Sequence, residues 1–216
     1  MKLQISALAA SALVVSLASA NGASIFSNAI DGTNPNTSNP FTSGQVVDAN
    51  ITISGIGRGS GITGNNGDNR YNASSWNTAT LDGTAYFTFT LMPNEGYEIQ
   101  FDSFEYTSQR SNASISQFAF RSSLDGFAED IGAPTFSGTS IDLSSLTSIT
   151  GAVEFRFYAW GASSSANTFS INSFSFNGAA VPLAAVPEPT NALAGLLIAA
   201  GLFRRHRGRR RAVTCM

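Results

Sequence analysis

The chain has 216 residues, room for one ordinary domain plus processing segments. Only 12% of them are charged, and the formal net charge of −2 conceals an asymmetry: Asn21–Ala180 holds thirteen acidic residues against five arginines, whereas six arginines crowd into Arg204–Arg211. An acidic body of net −8 gains nothing from counterion release on a polyphosphate, which argues against nucleic acid as a partner. The one histidine, His206, and the one cysteine, Cys215, both lie in the tail, leaving the body without imidazole, thiol or disulfide.

Residues 1–20, MKLQISALAASALVVSLASA, carry one early cation, Lys2, then a small or apolar stretch from Ile5 to Leu17. They end in Ala18-Ser19-Ala20, the small-residue pattern that a signal peptidase accepts. The expectation is a helical signal peptide, cleaved after Ala20, with export of the remainder.

From Asn21 to Ala180 the hydrophobic period is two. NITIS (50–54), YFTFTL (86–91), YEIQF (97–101), ISQFAF (115–120), SIDL (140–143), VEFRFYAW (153–160) and FSINSFSF (169–176) read as strands, with turn chemistry in MPNEG and LDGF between them. Seven or eight strands without a helix predict an all-β domain, an antiparallel β-sandwich of jelly-roll type over 21–180. In YEIQFDSFEY, Tyr97, Ile99 and Phe101 share one parity while Phe104 and Tyr106 share the other, which predicts a bulge near Ser103. The expected core is Phe87, Phe89, Tyr97, Ile99, Phe101, Phe118, Phe120, Phe155, Phe157, Phe174 and Phe176. Two polar, glycine-rich stretches, 31–44 and 57–83, read as long loops. Residues 181–186 read as a linker.

Candidate chemistry in the body is sparse. Histidine- or cysteine-based nucleophilic catalysis and zinc binding lack their residues. A glycosidase needs only two carboxylates, for which Glu98, Asp102, Glu105, Asp125, Glu129, Asp130, Asp142 and Glu154 are available; a solvated sheet face is the plainer reading of them. Asn66, Asp68 and Asn72 in NNGDNRYN offer oxygen ligands for calcium, without the spacing of an EF-hand. GIGRGSG has the glycines of a phosphate loop but neither lysine nor a helix after it. Trp76, in the long loop, and Trp160, at a strand end, are candidate stacking platforms for sugar rings, set against ordinary packing roles. Arg110, Arg121 and Arg156 interrupt hydrophobic strands and are expected to pair with carboxylates.

The end of the chain carries the strongest signal. Pro187-Glu188-Pro189 leads into a fourteen-residue run, Thr190–Phe203, followed by Arg204, Arg205, Arg207, Arg209, Arg210 and Arg211. As a helix the run is about 21 Å long, against a hydrocarbon core of about 30 Å, so spanning it requires arginine snorkelling and local thinning. The cluster belongs on the cytoplasmic side, with the domain outside. A V-P-E-P motif, a short apolar helix and terminal arginines on a chain with a leader resemble the PEP-CTERM sorting signal. The resemblance covers residues 187–211 and leaves 212–216, AVTCM, as a tail. It implies that Pro187, Glu188 and Pro189 form the sorting motif, that the arginines retain the segment in the membrane, and that an exosortase-type membrane protease is a partner. YFTFTLMPNEGY, QRS, FAFRSSLDGF and FRFYAWG also resemble a β-rich domain recurring in such exported proteins.

The expected function is that of an exported, envelope-anchored, non-enzymatic β-sandwich, a surface or extracellular-matrix component, with no cofactor and no metal. The alternatives are a carbohydrate-binding module, with extracellular polysaccharide as partner, and more weakly a glycan-acting hydrolase.

Overall fold

Alternation of aromatic and β-branched residues with polar ones does produce strands here, eleven of them. The computed structural model describes residues 22–184. In chain order they are β1 (Ala23–Asn28), β2 (Gln45–Val47), β3 (Ile51–Arg58), β4 (Thr63–Gly64), β5 (Tyr71–Ser74), β6 (Tyr86–Pro93), β7 (Tyr97–Arg110), β8 (Gln117–Ser122), β9 (Gly138–Asp142), β10 (Val153–Trp160) and β11 (Phe169–Pro182). A single 3-10 turn, Ser123–Asp125, is the one helical element among the described residues.

The strands form two antiparallel sheets. In the smaller sheet the order is β3-β6-β10-β8. The larger has seven strands with β11 at its centre. One side of β11 pairs with β7, which β9 flanks. Its other side is shared: β1 pairs with Phe174–Gly178 and β5 with Phe169–Ile171, and β2 and β4 extend these two outward. From β5 onward, successive strands alternate between the sheets. Ala23 faces Gly178, so the first and last strands put their outer ends side by side.

Rings from the two inner faces interdigitate to form the core. Phe104 of the larger sheet stacks on Phe120 of the smaller at 4.6 Å, and Phe89 meets Phe104, Phe174 and Phe176 at 4.9–5.5 Å. All four of Phe87, Phe89, Phe155 and Phe157 are fully buried. Such pairs contribute about 0.5–1.5 kcal/mol each beyond their burial. Nine of the eleven expected core residues are buried. The other two, Tyr97 and Phe118, are half-buried. Tyr97 opens its strand, with backbone bridging first reaching Ile149 at Ile99. Phe118 packs over Phe169 at 5.2 Å from the side of an outer strand.

The parity change in β7 falls where the pattern places it. Ile99 and Phe101 point inward, then Phe104, Tyr106 and Ser108 do, with Asp102 and Ser103 taking up the extra residue. The Asp102 carbonyl accepts the Leu143 N–H at 2.9 Å. The expected strands 97–101 and 140–143 thus belong to longer or shifted elements, and β11 runs to Pro182, beyond the 180 boundary and into the expected linker.

β1, β2, β4 and β5 have no counterpart among the expected strands. β5, YNAS, is polar in sequence yet buried at every position. What makes this tolerable is Arg58, at the end of β3 and only 9% exposed. Its Nε and Nη2 donate to the Asn72 carbonyl at 3.2 and 2.9 Å, Nη1 to the carbonyls of Asn36 and Ser38, and Nη2 to that of Pro35. The guanidinium lies 3.7 Å from the Tyr71 ring centre, whose hydroxyl donates to Ser38 O and Asn39 Oδ1. No carboxylate pairs with this cation among the described residues. Burial lowers the Arg58 pKa and pushes that of Tyr71 up to about 12. Both glycine-rich stretches are therefore tied to one buried fork of donors, and 57–83, expected as a long loop, instead contains the end of β3 and the strands β4 and β5.

Candidate functional site

Of the two tryptophans, Trp76 is fully buried. Its Nε1 donates to Ala73 O at 2.8 Å and its ring packs edge-on against Phe87 and Phe169. An indole enclosed in this way offers no face to a sugar, which corrects the expectation for Trp76. Apolar enclosure on all sides, with one carbonyl at hand for the indole N–H, makes it a core residue.

Trp160 is half-buried and ends β10 opposite Gln117. Val153, Phe155, Phe157 and Ala159 fill the core, so alternation sets Glu154, Arg156, Tyr158 and Trp160 on the outer face of the smaller sheet. Arg156 is clamped there between two rings, 4.2 Å from the centre of Tyr86 and 3.8 Å from that of Phe127. Its Nε and Nη2 donate to Glu154 at 2.7 and 3.4 Å, and Thr88 donates to the same carboxylate at 2.9 Å. Burial disfavours the Arg156 cation, but hydrogen bonds to Glu154 and Tyr158 and the Glu154 charge outweigh it and raise its pKa. Burial likewise raises the pKa of Tyr158, which meets Tyr86 edge-on at 5.5 Å.

Phe127 reaches Arg156 from outside the sheet. Residues 123–131 fold along the free edge of β8, with Phe127 N donating to Ser122 O and Ile131 N to Phe120 O. This covering removes an exposed strand edge. Phe127 has φ +63°, a conformation that L residues adopt at a cost. Arg121 holds it there, donating to Phe127 O at 3.0 Å while pairing with Asp130 at 2.6 Å. Arg121 and Arg156 thus have their expected carboxylates. Arg110 does not: it donates to the Ala113 and Ile115 carbonyls and stacks 4.0 Å from Phe136, because a tight loop brings carbonyls closer than any acid.

Two of the three candidate calcium ligands, Asn66 and Asn72, make hydrogen bonds within the protein. Asn66 Oδ1 accepts the Asn36 amide at 3.0 Å, and Asn72 Nδ2 donates to Asn66 O at 2.9 Å. Asp68 lines a separate hollow of about 340 Å³ with Gly32, Thr33, Asn34 and Asn69. No group of three or more acidic, histidine or cysteine side chains suited to a metal occurs among the described residues.

The eight carboxylates have separate roles. Glu98 accepts from Gln100, Asp102 from Gly22 N, Asp130 from Arg121, and Glu154 from Arg156. Asp125 accepts the Glu129 and Ala128 N–H groups, and Asp142 is held by the Ser144 hydroxyl and N–H; these bonds lower both pKa values, the direction opposite to that of a general acid. Glu129 is exposed. Glu105 lies in a hollow of about 430 Å³ on the outer face of the larger sheet, beside Ser27, Ser140 and Ser175.

The leader, the motif Pro187, Glu188 and Pro189, the fourteen-residue run and the six arginines lie outside the described residues. No helix among the described residues is long and apolar enough to cross a membrane. Fold and surface together define an all-β, two-sheet protein with a polar, aromatic-edged exterior. No family model, no curated protein and no solved structure matches the chain.

Proposed function

We propose that this protein is an exported, non-enzymatic β-sandwich of jelly-roll type, held at the cell envelope by its C-terminal segment as a surface or extracellular-matrix component. The carrying observation is the three-part ending, Pro187-Glu188-Pro189, then Thr190–Phe203, then six arginines, on a chain whose residues 1–20 have the pattern of a cleavable leader. Alternation of strands between the sheets from β5 to β11 supports the jelly-roll part of the reading. The neighbouring ends of β1 and β11 are in keeping with leader and tail both joining the domain at one place. An exosortase-type protease would process the tail at the proline-bounded motif while the arginines hold the inner end by the positive-inside bias. The test follows the size and fraction of a tagged protein in its own host. Glu188→Ala should still insert but escape processing; processing at the wild-type rate would reduce the segment to a plain anchor.

The half-exposed rings of the smaller sheet favour a second reading, carbohydrate binding. Trp160, Tyr86 and the clamped Arg156 combine ring faces with fixed hydrogen-bonding groups, the mixture that sugars require. A glycan array answers it: Trp160→Ala should abolish any signal that Trp76→Phe retains, and a wild-type array without signal ends the idea.

A further inference from the structure

Asparagine is followed by glycine at two places among the described residues, and the fold treats them oppositely. Asn177-Gly178 lies inside β11, where Asn177 Nδ2 donates to Ser103 Oγ at 3.0 Å, its Oδ1 accepts from Ser175, and the backbone pairs with Ala23 and Ser24. Asn66-Gly67 lies between β4 and β5, with Asn66 exposed. One amide spans this second pair. Asn34 Oδ1 accepts the Gly67 N–H at 3.2 Å, and Asn34 Nδ2 reaches Asn66 Oδ1 at 3.5 Å. Asn36 Nδ2 donates to the same Asn66 oxygen at 3.0 Å. The Asn66 side-chain carbonyl therefore meets two N–H donors, and the backbone nitrogen after it is held by the asparagine that supplies one of them. Arg70 lies against Gly67, where a Cβ would run into its Nε.

We propose that Asn66-Gly67 is a self-modifying site, at which the chain converts Asn66 to aspartate and isoaspartate through a cyclic imide. Gly67 N attacks Asn66 Cγ. The N–Cγ bond forms, the Cγ–Nδ2 bond breaks, and the Gly67 N–H proton leaves with the amide nitrogen as ammonia. One water then opens the ring, its hydroxyl going to a ring carbonyl carbon and its hydrogen to the nitrogen. Opening at Cγ yields aspartate; opening at the Asn66 main-chain carbonyl yields isoaspartate, with the backbone rerouted through Cγ. Negative charge grows on Asn66 Oδ1 during the attack, where the Asn34 and Asn36 donors already point. Glycine leaves the attacking nitrogen unhindered by a side chain. The product has a structural consequence. The Asn36 carbonyl accepts Arg58 Nη1 at 3.2 Å, so the new carboxylate stands two hydrogen bonds from a buried guanidinium that no acid pairs with among the described residues. Its bond from Asn36 becomes charge-assisted.

The full-length protein is incubated at neutral and at mildly alkaline pH, then unfolded and cut with trypsin. Cleavage after Arg58 and Arg70 releases residues 59–70 as one peptide. Mass spectrometry reads conversion as a gain of one mass unit, and fragment spectra assign it to Asn66 rather than Asn65 or Asn69. Chromatographic separation of the aspartate and isoaspartate forms identifies the imide route. A synthetic peptide of residues 59–70, treated in parallel, gives the rate without the fold. The folded chain should convert about tenfold faster than the peptide, less than the hundredfold or more of a buried oxyanion donor because water reaches this site. Conversion should quicken with pH and leave Asn177 unchanged. Asn34→Ala should fall back towards the peptide's rate. A folded chain that converts no faster than the peptide overturns the proposal, as does Asn34→Ala reacting at the wild-type rate. The comparison with the peptide decides the matter even if Asn34→Ala fails to fold.

Discussion

Arg58→Met removes five hydrogen bonds while keeping most of the side-chain stem. Two of the four acceptor carbonyls, Asn72 and Pro35, are bonded in buried surroundings. Orphaning each costs about 1–2 kcal/mol. The Asn36 and Ser38 carbonyls lie nearer the surface and recover water. Loss of the stacked cation over Tyr71 adds about 1 kcal/mol, and release from burying a charge returns a similar amount. The net expectation is a loss of about 2–4 kcal/mol, or about 5–15 °C in Tm. Arg58→Lys should recover little, because an ammonium cannot reach four carbonyls spread around a planar fork. Urea and thermal unfolding, followed by near-UV circular dichroism, measure both. A midpoint for Arg58→Met equivalent to a loss below about 0.5 kcal/mol would show that the stretches 31–44 and 57–83 are held by something other than this guanidinium.

Phe104→Ala, at the meeting point of Phe89, Phe120 and Phe176, should cost about 3–5 kcal/mol by chemical denaturation; a loss under 1 kcal/mol would mean that the two sheets do not share this core. Tyr71, raised to about 12 from an ordinary 10, keeps its proton longer when folded than when unfolded. Its contribution to stability is therefore complete below about pH 10 and lost as pH rises through about 12. Tyr106 and Tyr158 are also raised by burial, so ultraviolet titration should show one fewer late-ionising tyrosine in Tyr71→Phe than in wild type. Iodide should quench Trp160 and spare Trp76, so Trp160→Phe should leave an emission that iodide barely touches.

How far the sequence could be read follows from where the side chains do their work. Strands whose cores are built from alternating rings, such as β6 and β10, are legible because every inward residue is apolar and most outward ones carry a polar group. The β7 bulge is legible for the same reason, since a parity change in YEIQFDSFEY leaves few other ways to bury both halves. β5 is invisible because Asn72, Ser74 and the backbone around them are buried against a guanidinium, and hydropathy carries no record of a hydrogen-bond donor 14 residues away. Trp76 and Trp160 look alike in sequence; only the fold decides that one indole finds a carbonyl inside the core and the other ends a strand on the outer face. The pairing of Arg156 with Glu154 follows from local parity, whereas Arg121 and Arg110 depend on how loops close.

The central place of β11 has a mechanical consequence. A load drawn through Pro182 enters the larger sheet along its innermost strand, bonded to β7 on one flank and to β1 and β5 on the other. Pulled lengthwise against a restraint elsewhere in the domain, such a strand cannot peel away one bond at a time. Both ladders must slide together, so rupture is a shear event in which many bonds share the force at once. Traction applied instead between Ala23 and Gly178, which face each other at the sheet end, would open β1 like a zipper at far lower force.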